Sequence, residues 1–199
     1  MVRFEAESKL RVETVVKLGG SLLAHVEQFE VALAAIGVAA ASRPLLVVPG
    51  GGPFADAVRD VDRRLGLSDT AAHWMAVLAM DQYAHLIAGK LARGVVVAEA
   101  REIADALGAR PVGRVPVLAP YRWLRDADPL PHSWDVTSDS IAAWVAARVC
   151  ARRLVLVKPP GAAGNGLVDA HFARALPVHI TPFIVPADRV DLLDSALGG

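Results

Sequence analysis

VVKLGGSLL, Val15–Leu23, puts a lysine near the end of an apolar strand and follows it with two glycines and a serine. An ammonium group is costly at such a position, and paired glycines give up chain order without adding side-chain packing. Taken alone, Lys17 reads equally well as a surface residue whose ammonium reaches into water. Gly19, Gly20 and Ser21 beside it change the reading. Glycine lets a ligand approach the backbone closely, and successive N–H groups at a helix start form an anion cradle. A lysine next to that cradle supplies a full positive charge. The combination describes a phosphate site at the end of a strand.

The device recurs thirty residues on. In VVPGGGPFADAVR, Val47–Arg59, Gly50, Gly51 and Gly52 lie between an apolar strand and a helix with Pro53 in its first turn. One glycine would make the turn; three leave room for a ligand against the backbone. A third stretch, SWDVTSDSIAAWVA, Ser133–Ala146, opens a helix that Thr137 or Ser138 can cap. Asp139 then falls in the first turn. The helix dipole alone stabilises a carboxylate there by ~0.3–1 kcal/mol. Its functional reading is that it fixes Lys17 and the glycine-loop N–H groups around a transferring phosphoryl group. Asp135 is a loop acid or a substrate contact, Trp134 is a simple packing residue or one available to pack on a flat ring or a cation, and His132 reads as simple packing.

Around these motifs, short apolar runs alternate with longer periodic ones. ETVVKL, PLLVVP, GVVVAE, RVPVLAP and RLVLVK read as strands, with a further strand near FIVP. Helices are expected from Val26 to Ala41, over FADAVRDVDRRLG, from Ser68–Asp69 through Leu91 with Ser68 as N-cap, over REIADALGA, and from Thr137 to Arg152. Tyr121–Trp134 reads as a proline-bearing loop with one helical turn. A weaker helix precedes FIVP, and a terminal helix follows it. Strands apolar on both faces, alternating with helices, indicate an α/β fold with a mostly parallel sheet covered on both sides. Ligands bind such sheets beyond the carboxyl ends of the strands. The GGS, GGGP, HSWDVTSDS and KPPG loops all belong to that edge. No repeat, low-complexity segment or linker interrupts residues 1–199, which read as one domain.

Composition excludes several classes. Apolar residues make up 54% of the 199, and the mean hydropathy is +0.39. The longest suspicious run, Val31–Ala41, is far short of the ~20 apolar residues a bilayer span needs, so the surplus reads as a well-filled core. Twenty-one basic residues balance 21 acidic ones, which gives no support for a nucleic-acid surface. MVRFEAESKLRVE lacks the apolar centre of a secretory signal. The single cysteine, Cys150, excludes an internal disulfide framework and suits a reducing cytoplasm. In AAWVAARVCARR it reads as a small core residue of a helix. No G-x-x-x-x-G-K-[ST] or G-x-S-x-G occurs, and the six histidines show no paired metal-ligand spacing. GAAGNGLVD imitates part of a dinucleotide fingerprint but lacks its last glycine.

Lys17-x-Gly19-Gly20-Ser21, then Gly50–Gly52, then TSDSIAAWVA and LVLVKPPG, in that order, resemble the amino acid kinase superfamily over roughly Val12–Gly166. The resemblance implies an α/β/α sandwich, with residues 12–135 as an acceptor lobe and 136–199 as a shortened nucleotide lobe. It implies ATP with Mg²⁺ as donor, a small-molecule phosphate acceptor, and a homo-oligomer. Lys17 becomes the phosphoryl-stabilising lysine and Asp139 the aspartate that organises it. Gly19, Gly20, Ser21, Lys158, Gly161 and Gly166 fall to ATP and its phosphates. Gly50, Gly51, Gly52, Trp134 and Asp135 fall to the acceptor. Pro160 departs from the aspartate of the K-x-D-G motif that begins at Lys158, and Pro49 from a histidine of several relatives. Within the superfamily, VPGGGPFADAVR and HSWDVTSDSIA are most similar to small kinases of methanofuran biosynthesis, which turn an aminomethylfuran phosphate into its diphosphate. Other small-acid or nucleoside monophosphate kinases, and non-catalytic oxyanion-storage proteins, remain the alternatives.

Overall fold

In the computed structural model, which describes residues 12–109 and 113–198, six strands form one sheet with every pairing parallel. They are β1 (Thr14–Leu18), β2 (Leu45–Pro49), β3 (Gly94–Val97), β4 (Val115–Leu118), β5 (Arg153–Lys158) and β6 (Thr181–Pro186). Their order is β3-β4-β2-β1-β5-β6. The first strand is therefore central, flanked by β2 on one side and β5 on the other. Lys17 pairs in register with Val48 and Leu156.

Eight α-helices cover the sheet among the described residues. They are α1 (Val26–Ala39), α2 (Gly52–Leu65), α3 (Asp69–Lys90), α4 (Ala100–Gly108), α5 (Tyr121–Ala127), α6 (Ser138–Arg148), α7 (Phe172–Ala175) and α8 (Val190–Leu197). None is long and apolar enough to cross a membrane.

Strand alternation sorts the core into two layers. Val15, Leu46, Val48, Leu154 and Leu156 join one cluster with Ile141 and Val145 of α6 and Ile103 of α4. Val16, Leu18, Leu45, Val47, Val155 and Val157 join the other with Phe29 and Ile36 of α1 and Leu193 of α8. Since side chains alternate across a strand, Lys17 shares its face with Val15 and thus with α6. Helix α3 serves both layers: Trp74, Val77 and Met80 lie in the first, Tyr83, Ala84 and Ile87 in the second. Its N-terminus is capped as expected, with Ser68 Oγ accepting from Ala71 N at 3.3 Å.

Three local expectations change. The stretch expected to hold one helical turn after Tyr121 forms α5, whose first N–H, at Tyr121, donates to Asp81 Oδ1 of α3 at 3.0 Å. Helix α6 stops at Arg148, short of the expected Arg152. Cys150 is consequently exposed rather than in the core. It has φ 52 and its N–H donates to Ala147 O, while Ala151 N–H reaches back to Ala146 O at 2.9 Å. That pair of bonds is a Schellman ending, with cysteine in the left-handed position usually given to glycine. The chain has to reverse there to enter β5 at Arg153.

Candidate active site

Residues at the carboxyl ends of β1, β2 and β5 build the site. After Leu18 the chain turns into a 3-10 segment, Gly20–Ala24. Gly19 N–H donates to Val157 O at 3.0 Å and Gly50 N–H to Leu18 O at 2.7 Å, so the sheet's hydrogen bonding continues into both loops. The buried Tyr83 hydroxyl donates to Gly19 O at 3.4 Å, and burial pushes its phenol up, away from ionisation. The two glycine loops touch. A Cβ on Gly20 would lie 2.0 Å from Gly52 N, and one on Gly50 2.5 Å from Gly20 N. These glycines thus answer to each other as well as to any ligand.

Three charged side chains meet beside them. Lys17, Asp139 and Lys158 are 5%, 5% and 8% exposed. Lys158 Nζ donates to Asp139 Oδ2 at 2.7 Å. Lys17 Nζ lies 2.9 Å from Oδ1, an ion pair without the alignment of a hydrogen bond. Burial alone would raise the Asp139 carboxyl, but the two ammonium groups outweigh it and hold it below the usual range. Burial, then the like charge of Lys17, pulls Lys158 down, with Asp139 opposing. Two ammonium groups against one carboxylate leave this triad with an excess positive charge. Such an arrangement favours an incoming anion.

The first turn of α6 sets Asp139 in place, and its cap is not local. Thr137 occupies the N-cap position, but its side chain makes no cap bond, contrary to the expectation for it or Ser138. Asp169 takes that role. Its Oδ2 accepts from Thr137 N–H at 3.0 Å, Ser140 N–H at 3.0 Å and the Thr137 hydroxyl at 2.8 Å. The Ser140 hydroxyl donates to Oδ1. Sequence reading passed over Asp169 because capping signals are sought within three or four residues, and this acid comes from a distant loop.

A cleft of about 250 Å³ opens beside the glycine loops. Gly20, Ser21, Gly51 and Gly52 form one wall, Ala72, His73 and Met80 of α3 another, and Ser133, Trp134 and Ser138 a third. Trp134 Nε1–H donates to Asp62 Oδ2 at 2.8 Å, and the Arg59 guanidinium lies 4.8 Å from its ring centre. The indole is thereby fixed as part of the wall. Asp135 is exposed and outside the lining; the acids that line the cleft are Asp56 and Asp69. Asp56 is paired with Arg59 at 2.8 Å. His132 packs as expected, stacked on His73 with ring centres 4.4 Å apart and bonded to Asp128 and Thr70.

Across the triad, β5 leads into an exposed stretch containing Gly161 and Gly166 at φ 71 and 78, with open space at both Cβ positions. Gly161 N–H donates to Asp188 Oδ1 at 3.1 Å. Lys158 parts from these glycines: its ammonium turns inward to Asp139. Among the described residues no group of three His, Cys, Asp or Glu side chains is arranged to hold a metal ion.

Comparison with known proteins matches residues 13–159 to the amino acid kinase family. The [5-(aminomethyl)furan-3-yl]methyl phosphate kinase of Methanocaldococcus jannaschii is 28% identical over 170 residues, covering 81% of this chain and 76% of that protein. In fold, the chain is similar to the uridylate kinase of Archaeoglobus fulgidus, with a TM-score of 0.68 over 94% of this chain and 96% of that one at 17% identity. The UMP kinase of Ureaplasma parvum gives 0.66 over 92% and 95%, also at 17% identity. With a family match over most of its length and an all-parallel sheet that superposes on such kinases, the chain belongs to the amino acid kinase family of phosphotransferases.

Proposed function

We propose that the protein transfers the γ-phosphoryl group of ATP to the phosphate of a small monoester, giving a diphosphate, and that the acceptor is [5-(aminomethyl)furan-3-yl]methyl phosphate. The observation that carries the chemistry is the buried Lys17–Asp139–Lys158 triad, positively charged and set against two glycine loops. A phosphate monoester is mostly dianionic at neutral pH, its second pKa being about 6. It therefore needs no strong general base. Catalysis then reduces to positioning and charge stabilisation. An acceptor oxygen attacks the γ-phosphorus, the bond to the ADP oxygen breaks, and the two ammonium groups hold the charge spread over the migrating group. Asp139 keeps both lysines aimed and is not itself a base.

The walls of the cleft support one division of the site in this reading. Gly50–Gly52 and Trp134 take the acceptor; Gly19, Gly20 and Ser21 take the transferring phosphate; Lys158 to Gly166 takes the nucleotide. Mg²⁺ would be held by the phosphates of the nucleotide, as it commonly is, and would offset their negative charge. The furan reading rests on the 28% identical relative and on the shape and charge of the cleft. An indole wall suits a flat ring, and a rim acid suits an amine. Asp69 is that acid in this reading, because Asp56 is engaged by Arg59 and Asp135 is not among the lining residues.

The test compares the aminomethylfuran phosphate with its des-amino analogue, in wild type, Asp69→Asn and Asp135→Asn. Wild type and Asp135→Asn are expected to prefer the amine by at least tenfold in kcat/KM, and Asp69→Asn to lose the preference. Equal preference in all three removes Asp69 from the site. Efficient turnover of UMP in place of the furan removes the furan reading.

A further inference from the structure

The ten residues 159–168 join Lys158 to Asp169, and both ends of this loop grip the same helical turn. At one end Lys158 Nζ holds the Asp139 side chain. At the other, Asp169 holds the residues on either side of Asp139: Thr137 through its N–H and hydroxyl, Ser140 through its N–H and hydroxyl. A further tie, His171 N–H to Asp135 O at 3.2 Å, fastens the chain just beyond Asp169 to the strap before α6. Between these anchors the loop is largely exposed and carries three glycines, Gly161, Gly164 and Gly166, at positive φ.

Ordinary capping takes one side-chain oxygen and one or two N–H groups. Thr137, at the N-cap, stands where it could supply that oxygen. The fold instead brings a carboxylate from across the loop and spends all four hydrogen bonds on the two residues that bracket Asp139. A carboxylate buried between two ammonium groups can hold both only if its backbone is fixed to within a few tenths of an ångström. We propose that Asp169 is a positioning residue for phosphoryl transfer: by clamping Thr137 and Ser140 it keeps Asp139 on both lysines, and it ties the glycine-bearing loop to that geometry. This rests on the reading of the triad as the transfer site. It adds that one acid outside the triad sets the triad's geometry, so that whatever seats on the 159–168 loop reaches Asp139 through Asp169 as well as through Lys158.

The experiment uses Asp169→Ala and Asp169→Asn in the full chain. Asparagine keeps an oxygen for the Thr137 and Ser140 donors, and its amide can donate to the Ser140 hydroxyl, so it preserves the clamp without the charge. Asp169→Ala is expected to lower kcat at least tenfold with both KM values within about threefold of wild type. Asp169→Asn is expected to restore kcat to within about threefold. Amide exchange should show Thr137 and Ser140 unprotected in the alanine variant and protected in the asparagine one. Wild-type kcat in Asp169→Ala, with those amides exposed, reduces Asp169 to a plain helix cap and overturns the proposal. An asparagine variant as slow as the alanine one, with its amides protected, overturns it too, because the charge and not the clamp would then matter.

A readout without turnover separates this from the choice of acceptor. Lys158 is held up by Asp139, and both variants lack the Asp169 charge, so any difference between them reports the position of Asp139. NMR titration of the lysine side chains should place Lys158 lower in Asp169→Ala than in Asp169→Asn; equal values overturn the proposal even if no acceptor is turned over. Should Asp169→Ala fail to fold, Thr137→Ala/Ser140→Ala removes two of the four bonds and leaves the carboxylate. It must lower kcat at least threefold at unchanged KM, and wild-type kcat there overturns the clamp.

Discussion

Asp139 faces two ammonium groups with one carboxylate, and that imbalance separates the consequences of removing each partner. Lys17→Met leaves Asp139 paired with Lys158 at 2.7 Å, a balanced buried pair. Turnover should fall at least about a hundredfold, the scale of losing a transition-state charge contact, while stability changes by no more than about 1 kcal/mol. Asp139→Ala leaves two buried like charges facing each other and should destabilise by about 3–5 kcal/mol. Denaturant titration beside a turnover assay checks both; equal destabilisation would mean the lysines reach water. His73 offers a second test at this scale. It is 7% exposed, and burial, then its neighbour His132, lower it from 6.5 to about 4, with Asp128 opposing. The unfolded chain takes up this proton near pH 6.5 and the native chain only near 4. Stability should therefore fall as pH drops from 6.5 towards 4, by at most about 1.4 kcal/mol per pH unit from this group. Measured from pH 7 to 5, His73→Phe should show a flatter fall than wild type.

Among the elements, the two glycine loops do more than leave room. Three glycines after β2 suggest space for a ligand, and in the fold Gly20 and Gly52 are also pressed backbone to backbone. Gly20→Ala would place a Cβ 2.0 Å from Gly52 N, where nothing flexible can yield. It should destabilise by about 3 kcal/mol, at the upper end of overpacking costs, and splay the phosphate loops. Gly161→Ala should cost only about 1–2 kcal/mol, because its Cβ meets open space and only the positive φ is strained. Parallel denaturant titrations check the contrast, and equal losses would remove the loop–loop contact as the reason for Gly20. Gly51→Val is a poor probe of acceptor binding for the same kind of reason, since its Cβ would fall 2.3 Å from the Ala55 Cβ within α2. Helix α6 shows the complementary case. Its apolar pattern runs on through Cys150, yet the Schellman turn ends it at Arg148 because β5 must begin at Arg153.

Over the whole molecule, the central place of β1 divides the site, with the cleft that Trp134 lines on one side of the triad and the loop after β5 on the other. Trp134→Ala should raise the acceptor KM at least tenfold and that of ATP less than threefold; steady-state kinetics with each substrate varied would show it, and equal rises would mean the walls are shared. Much of this was legible in the sequence. Alternating strand and helix periods imply a parallel sheet, a parallel sheet puts its loops on one edge, and glycine, lysine and aspartate at those loops imply phosphate chemistry. Lys17 beside its glycines, the second glycine loop and the first-turn position of Asp139 stand out from local spacing, and the roles of Lys17 and Asp139 come from the family resemblance. Lys158's inward turn to Asp139, the clamp by Asp169, the exposure of Cys150 and the choice of Asp56 and Asp69 over Asp135 as cleft acids do not stand out in that way. The Cys150 exposure follows from the local turn ahead of β5; the others depend on segments far apart in the chain meeting at the sheet edge. Strand order decides those meetings, and periodicity, which reads only a residue's own neighbours, carries no record of strand order.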